Sequence, residues 1–341
     1  MSNVLFLANT EADGSLSRAS LEALSAAIEL SKATGATLSA GLFGAETQAA
    51  AGSIANAGAA TIYAVTGAEF AQPRYATDAA AAEALARAAS AEFIVATGTS
   101  RLARILAGVS QRLGGVIDTH ISAISTDGSV SVTRWFYRQR IEGSLSREAR
   151  PWVLQLDPGT QTPWSGAAGT ATVQAVAVTL PDNAQRTKVE GIEALKGTQQ
   201  TIRPEAKLLF VAGAGWTKKQ KDGQPHAAEA ETLILEFLNK SQASLGGSKS
   251  VVDLGGEGQP ALGFMSHLNQ VGQTGSSPRH PKGLSTCCHG EEPHVVGWRF
   301  IGQRRAINLD ANCGWAHGKA DVLYVADAFE VMKKLNELMA K

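Results

Sequence analysis

Short apolar runs alternate with Ala-rich amphipathic stretches through the first 125 residues. Val4 to Ala8, Ala36 to Leu42, Thr61 to Val65 and Glu92 to Ala96 read as strands, and Leu16 to Thr34, Glu46 to Ala57, Asp78 to Ser90 and Ser100 to Leu113 as helices. Alternation at these lengths predicts a parallel sheet with crossover helices. Ser100 follows a Gly98-Thr99 turn and is available as an N-cap. After Val116 the pattern changes to strands without a long helix between them: Ser129 to Tyr137, Arg140 to Ser146, Pro151 to Leu156 and Ala171 to Thr179. These predict an antiparallel extension that closes a first domain.

A polar stretch from Pro181 to Pro204 marks an interdomain boundary. The expected layout is an N-terminal α/β domain over residues 1–185, a linker over 186–204 and a doubly wound parallel C-terminal domain over 205–341. That second domain opens with the strand Lys207 to Val211, a turn containing Gly213 and Gly215, and a helical pattern from Ala227 to Leu245. Strand, glycine turn and helix suit a phosphate, because glycine admits close backbone approach and the helix N-terminus favours an anion. Alone the signal is weak: the third glycine of the usual fingerprint is missing and Trp216 to Pro225 intervenes. From Asp327 to Lys341, Phe329, Met332, Leu335 and Leu338 recur at helical spacing and read as a core stripe.

Composition narrows the function classes. Hydrophobic residues make up 44% of the 341 positions and charged residues 18%, with 35 glycines, which excludes a disordered chain. Lys plus Arg and Asp plus Glu are balanced at 31 each, so no overall field draws nucleic acid or an anionic membrane. No apolar run is long enough for a membrane span, and Met1-Ser2-Asn3 leads into the first strand without a basic leader. A cytoplasmic protein is expected. The 3 cysteines, Cys287, Cys288 and Cys313, argue for reduced thiols rather than a disulfide framework. With His289, His294 and His317 they offer a metal reading, but the spacings suit helices better than the turns predicted there, so packing thiols are preferred and no metal is expected.

Between Gly246 and Phe329 polar groups recur at intervals that could grip a dinucleotide. They stand in Gly246-Gly247-Ser248-Lys249, Gln270-Val271-Gly272-Gln273-Thr274-Gly275, His289-Gly290-Glu291-Glu292-Pro293-His294, Ala306-Ile307-Asn308 and Val325-Ala326-Asp327-Ala328-Phe329. Taken singly, each has an ordinary reading: Lys249 as a solvated cation, the Gln- and Gly-rich run as a polar turn, Asp327 as the N-cap of the last helix. Taken together, the motifs and their intervals resemble the flavin domain of the electron transfer flavoprotein α subunit. The first half also resembles that family, from the opening strand to Leu156-Asp157-Pro158.

The resemblance implies FAD in the C-terminal domain. Ser248 would help hold the dinucleotide, and Lys249, where the family has arginine, would bring a cation against the isoalloxazine. Thr274 would meet flavin N5, with Val271, Gly272 and Gln273 around it, and His294 would stand near the C2 carbonyl. Lys249, Thr274 and His294 are thus the expected redox-tuning residues. His289, Gly290, Glu291, Glu292 and Pro293 form the approach to His294, and of the family pattern in this run only Gly290 and His294 are kept. Asn308, Asp327 and Ala328 correspond to positions near the adenosine half. Gly215 stands where the family has the arginine of a Gly-Gly-Arg-Gly turn, while Arg138 and Arg140 occupy a loop of the first domain that is small-residue in the family. Arg304 and Arg305 are candidates to balance Glu291 and Glu292.

The function implied is an electron carrier rather than an enzyme. The chain would pair with a β subunit, receive electrons from a flavoprotein dehydrogenase and pass them to an acceptor such as a quinone oxidoreductase, with no nucleic acid and no membrane insertion. Two alternatives stand beside it: a binding or structural subunit that keeps the fold without redox FAD, and a nucleotide-binding enzyme with a metal in the Cys/His segment.

Overall fold

The computed structural model describes residues 2–137, 141–184, 186–191, 202–203, 206–253, 260–271, 280–286, 301–312 and 320–340. Two compact units, Met1–Ile192 and Glu193–Lys341, divide the chain.

In the first unit the strands β1 (Asn3–Asn9), β2 (Thr37–Gly44), β3 (Thr61–Thr66), β4 (Phe93–Thr97), β5 (Val116–Ser125), β6 (Ser131–Phe136), β7 (Ile141–Leu145), β8 (Trp152–Leu156) and β9 (Val173–Ala175) form one sheet. Its order is β7-β6-β5-β8-β4-β1-β2-β3-β9. The apolar run of β1 is explained by its central place. Val4, Phe6 and Ala8 face one core with the helices α1 (Arg18–Thr34) and α2 (Gln48–Ser53), while Leu5 and Leu7 face a second core with α3 (Tyr75–Ala88) and α4 (Ser100–Arg112). Side chains alternate across a strand, so a strand covered on both faces must be apolar throughout.

The extension differs from the sequence expectation. Only β5, β6 and β7 pair antiparallel. Strand β8 inserts parallel between β4 and β5, and β9 lies parallel to β3 at the far edge. The sequence pattern had also passed over β5, whose half-exposed residues and register shift between Asp118 and Ile121 break the alternation. The helix expected from Glu46 to Ala57 shrinks to Gln48–Ser53, α3 begins at Tyr75 instead of Asp78, and the N-cap of α4 is Thr99 rather than Ser100.

Gly115 permits the close passage of two strand ends. A Cβ there would lie 2.2 Å from the Pro151 carbonyl oxygen. Because that oxygen is backbone and cannot swing aside, Gly115→Ala is expected to cost about 1–3 kcal/mol in a urea melt. A change under about 0.5 kcal/mol, the scale of an ordinary surface substitution, would show that the strands slide apart freely.

The second unit holds β10 (Leu208–Ala212), α5 (Ala227–Ser241), β11 (Ser244–Gly247), α6 (Lys249–Asp253), β12 (His280–Thr286), β13 (Ile301–Asn308), β14 (Val322–Val325) and α7 (Ala328–Leu338). Every pairing between these strands is parallel, in the order β11-β10-β12-β13-β14. Phe210 and Ala212 face α5 and α7, and Leu209 and Val211 the opposite core. The helix expected through Leu245 stops at Ser241, because Gln242 turns left-handed (φ 55°) and the chain re-enters the sheet as β11. Leu338, expected in the core stripe of α7, is exposed, whereas Phe329 and Met332 are buried. Among the described residues no helix is long and apolar enough to cross a membrane.

Candidate functional site

The chain leaves β10 to form β11 on one side and returns past it to form β12 on the other. A doubly wound sheet binds ligands at such a reversal, outside the carboxyl ends of its strands. Here the reversal lies between β10 and β12, and its floor is tightly bonded. The Gly213 N–H donates to the Thr286 carbonyl at 3.0 Å. The Thr286 hydroxyl donates to the Val211 carbonyl at 3.1 Å and accepts the Trp216 indole N–H at 2.8 Å. Trp216 is fully buried, with its ring 4.7 Å from that of Phe329. Gly215 is buried in the same turn, and its carbonyl accepts from Gln220 Nε2 at 3.1 Å.

Three expected site residues, Ser248, Lys249 and Val271, gather at this carboxyl edge around β11 and β10. The Ser248 N–H donates to the Ala212 carbonyl at 2.9 Å, and the Val271 N–H to the Gly247 carbonyl at 2.9 Å. Ser248 is buried, and its hydroxyl accepts the Val251 N–H at 3.3 Å. A Cβ on Gly246 would fall 2.5 Å from the Val271 side chain, so glycine is what lets the chain around Val271 close over the end of β11. Lys249 opens α6 and forms an ion pair with Asp253 one turn on; Asp253 also lies 3.6 Å from His267 Nε2. The cation therefore has a counter-charge that the sequence reading had not assigned to it. The lysine-to-aspartate spacing of four residues was the available signal.

At the other end of the edge, Asn308 closes β13 and Asp327 precedes α7. Asp327 is the cap of that helix, its Oδ1 accepting the Phe329 N–H at 2.9 Å, and Lys221 Nζ lies 4.0 Å from its Oδ2. Ala328 is buried in the first turn. Asn308 is 1% exposed; its Oδ1 accepts the Asp310 N–H at 3.0 Å, but its buried Nδ2 has no partner among the described residues. Ser285 is fully buried and its hydroxyl likewise lacks a partner. Ser285 pairs in register with Ala306, two residues before Asn308, so both groups face the same side of the sheet. Leaving such a donor unsatisfied costs about 1–3 kcal/mol. A polar ligand at this edge, such as a dinucleotide rich in acceptor oxygens, fits that deficit.

Gly272, Gln273, Thr274, the run His289, Gly290, Glu291, Glu292, Pro293 and His294, the three cysteines, His317, Arg138 and Arg140 lie outside the described residues. Arg304 is committed elsewhere: its N–H and guanidinium both bond Asp321, the amide bond leading, and together they hold that carboxyl below the usual range. Arg305 donates to the Tyr324 hydroxyl at 3.2 Å. Among the described residues no group of three His, Cys, Asp or Glu side chains could hold a metal. A larger cavity, about 480 Å³, lies between the sheet and α7, lined by Leu208, Phe237, Leu284, Tyr324 and Leu335. Its walls are mainly apolar; Arg305 and Ile307 line it, but none of the residues expected to bind the flavin does.

No curated protein matches the chain. The family model described as the electron transfer flavoprotein domain matches residues 4–181, just over half of the 341 positions. That span carries β1 through β9, the sheet whose order and crossovers are set out above. The chain belongs to the electron transfer flavoprotein family.

Proposed function

We propose that the chain is the α-type subunit of a heterodimeric electron transfer flavoprotein, with FAD held at the carboxyl edge of β10 to β14. It serves as a carrier between a flavoprotein dehydrogenase and an acceptor such as a quinone oxidoreductase, in the cytoplasm and without membrane insertion. The observation that carries this reading is the buried Asn308 Nδ2, without a partner among the described residues, on the edge where Ser248, Lys249, Val271 and Asp327 also stand. FAD, when bound, supplies the capacity to take up electrons and release them one at a time.

The chain's own part is positioning and electrostatics. Ser248 and the glycines before it bring backbone close to the ligand. The Asn308 amide donates to an acceptor oxygen. Lys249 places a cation on the edge that favours the negative charge gained on reduction, in a field weakened by Asp253. Lysine lacks the planar fork of arginine, so it supplies charge without stacking. Thr274 and His294 are the other proposed redox-tuning residues, and Gly272, Gln273 and the residues from His289 to Pro293 are proposed as further FAD contacts. The edge is a binding surface; no substrate is transformed on it.

The test is the visible spectrum of the full chain co-expressed with its β-type partner, followed through stepwise anaerobic reduction. Flavin bands bleaching in two one-electron steps are expected, and Asn308→Ala should loosen FAD about tenfold. A correctly assembled but colourless protein that rejects added FAD would overturn the reading. It would support the second one, a subunit that keeps the fold for binding alone, which the neutralising pair Lys249 and Asp253 favours.

A further inference from the structure

The first unit has a cationic cavity at the start of α3 that the electron-carrier reading leaves unused. About 220 Å³ in volume, it lies between Arg74, Tyr75 and Ala76 on one side and Asn183, Arg186 and Thr187 on the other. Among the described residues two guanidinium groups line it and no carboxylate does.

Several groups around it are donors in need of an acceptor. Arg74 Nε is buried without a hydrogen-bond partner among the described residues, while its Nη1 donates to the Glu69 carbonyl at 3.3 Å. Arg74 is also the N-cap of α3, and its side chain caps nothing. The first helical bond runs from the Asp78 N–H back to the Arg74 carbonyl, which leaves the amides of Tyr75, Ala76 and Thr77 to be satisfied from outside the helix. Thr77, in the same turn but behind the cavity wall rather than lining it, is fully buried, and its hydroxyl has no partner among the described residues.

The nearby carboxylates offset only part of this field. Asp78 is bonded to Arg101 through two bonds of 2.8 Å and also feels the charges of Arg74 and Arg104. The Glu69 carboxyl lies against Gly67, within 3 Å of where a Cβ on that glycine would stand. Asp182 neighbours Asn183 in the chain but does not line the cavity, and Arg104 adds a third cation, its Nη1 bonded to the Pro73 carbonyl at 3.0 Å.

We propose that this cavity binds a phosphate group. Arg74 and Arg186 supply charge-assisted donors from opposite walls, and the free amides of a 14-residue helix supply the dipole end that favours an anion. Asn183 and Thr187 add neutral donors at the rim, and the volume leaves room for a small organic group on the phosphate.

The test is isothermal titration of the full chain, saturated with FAD so that any phosphate site in the second unit is filled. Inorganic phosphate, ribose 5-phosphate and phosphate-free ribose serve as probes. Both phosphates should give saturable binding and ribose none. Tighter binding of ribose 5-phosphate would identify a phosphomonoester as the occupant, and equal binding free phosphate. Arg186 is exposed, so Arg186→Gln keeps the fold and should weaken phosphate about tenfold, as should Arg74→Gln. Unchanged affinity in the folded double variant, or no saturable phosphate heat with the native chain, would overturn the proposal. Both residues belong to the first unit and the proposed flavin edge is built from the second, so failure here leaves that reading standing.

Discussion

Replacing Asp118 with alanine is expected to cost the first unit about 3–5 kcal/mol, the scale of breaking a buried ion pair and leaving its partners unmatched. Asp118 sits in β5 with no exposed surface. Arg147 binds it through Nε at 2.9 Å and Nη2 at 3.0 Å, Arg134 Nη1 at 3.2 Å and Trp152 Nε1 at 2.9 Å. One carboxylate thus ties β5 to β6, to β8 and to the segment before β8. Burial alone would push its proton affinity up. The bonds from Arg147, Trp152 and Arg134 outweigh that and hold the carboxyl below its ordinary value.

The sign of the pH dependence follows. A carboxyl whose folded pKa is depressed contributes stability that is fully present above its unfolded pKa, about 3.9, and is lost as pH falls through the folded value. Asp78 acts in the opposite sense: burial raises its pKa, and Arg101 pulls it only part of the way back. Its contribution is largest in acid and declines as pH rises. The total acid limb therefore mixes the two, but the difference between the native chain and Asp118→Asn cancels Asp78. That difference should be constant from pH 7 to about 5 and shrink toward pH 3. Denaturant melts at each pH measure it, and a gap just as wide at pH 3 would remove Asp118 as the source.

Much of the architecture is written in the chain where a strand is covered on both faces. Val4 to Ala8 and Leu208 to Ala212 are unbroken apolar runs because their alternate side chains enter two different cores. Where burial is one-sided or the element is short, the pattern fails. His120 takes a left-handed conformation (φ 57°) in the middle of β5, and the resulting shift of register erases the two-residue period. Strand β11 has four residues, and Leu245 keeps the helical spacing of α5, so only the turn at Gln242 separates helix from strand. Gln242 carries no signal of such a turn, since glycine or asparagine is the usual occupant.

The candidate site shows the same division. Ser248, Lys249, Val271, Asn308, Asp327 and Ala328 stand out in the sequence through a resemblance in spacing, and all six lie at the carboxyl ends of the strands of the second unit. Trp216 and Thr286 do not stand out. A tryptophan after a glycine turn looks like an interruption, and its role depends on a hydrogen bond to a residue 70 positions away. Long-range partners of this kind have no period to read.

Trp216→Ala is therefore expected to have the largest effect in the second unit. Truncating a fully buried tryptophan costs about 3–5 kcal/mol through lost transfer energy and the cavity left behind. Trp216→Phe should be far milder, about 1 kcal/mol, because the ring can still pack on Phe329. Thr286 keeps its bond to the Val211 carbonyl in either variant, so no hydroxyl is orphaned by the phenylalanine. Because two units need not unfold together, hydrogen exchange read by mass spectrometry is the proper measure, on peptides spanning β10, β11 and β12. In Trp216→Ala, protection should fall across all three strands and across Ser248, while β1 to β4 in the other unit keep theirs. Equal loss in the alanine and phenylalanine variants would mean that the indole N–H bond to Thr286, rather than the volume of the ring, holds the floor of the site together.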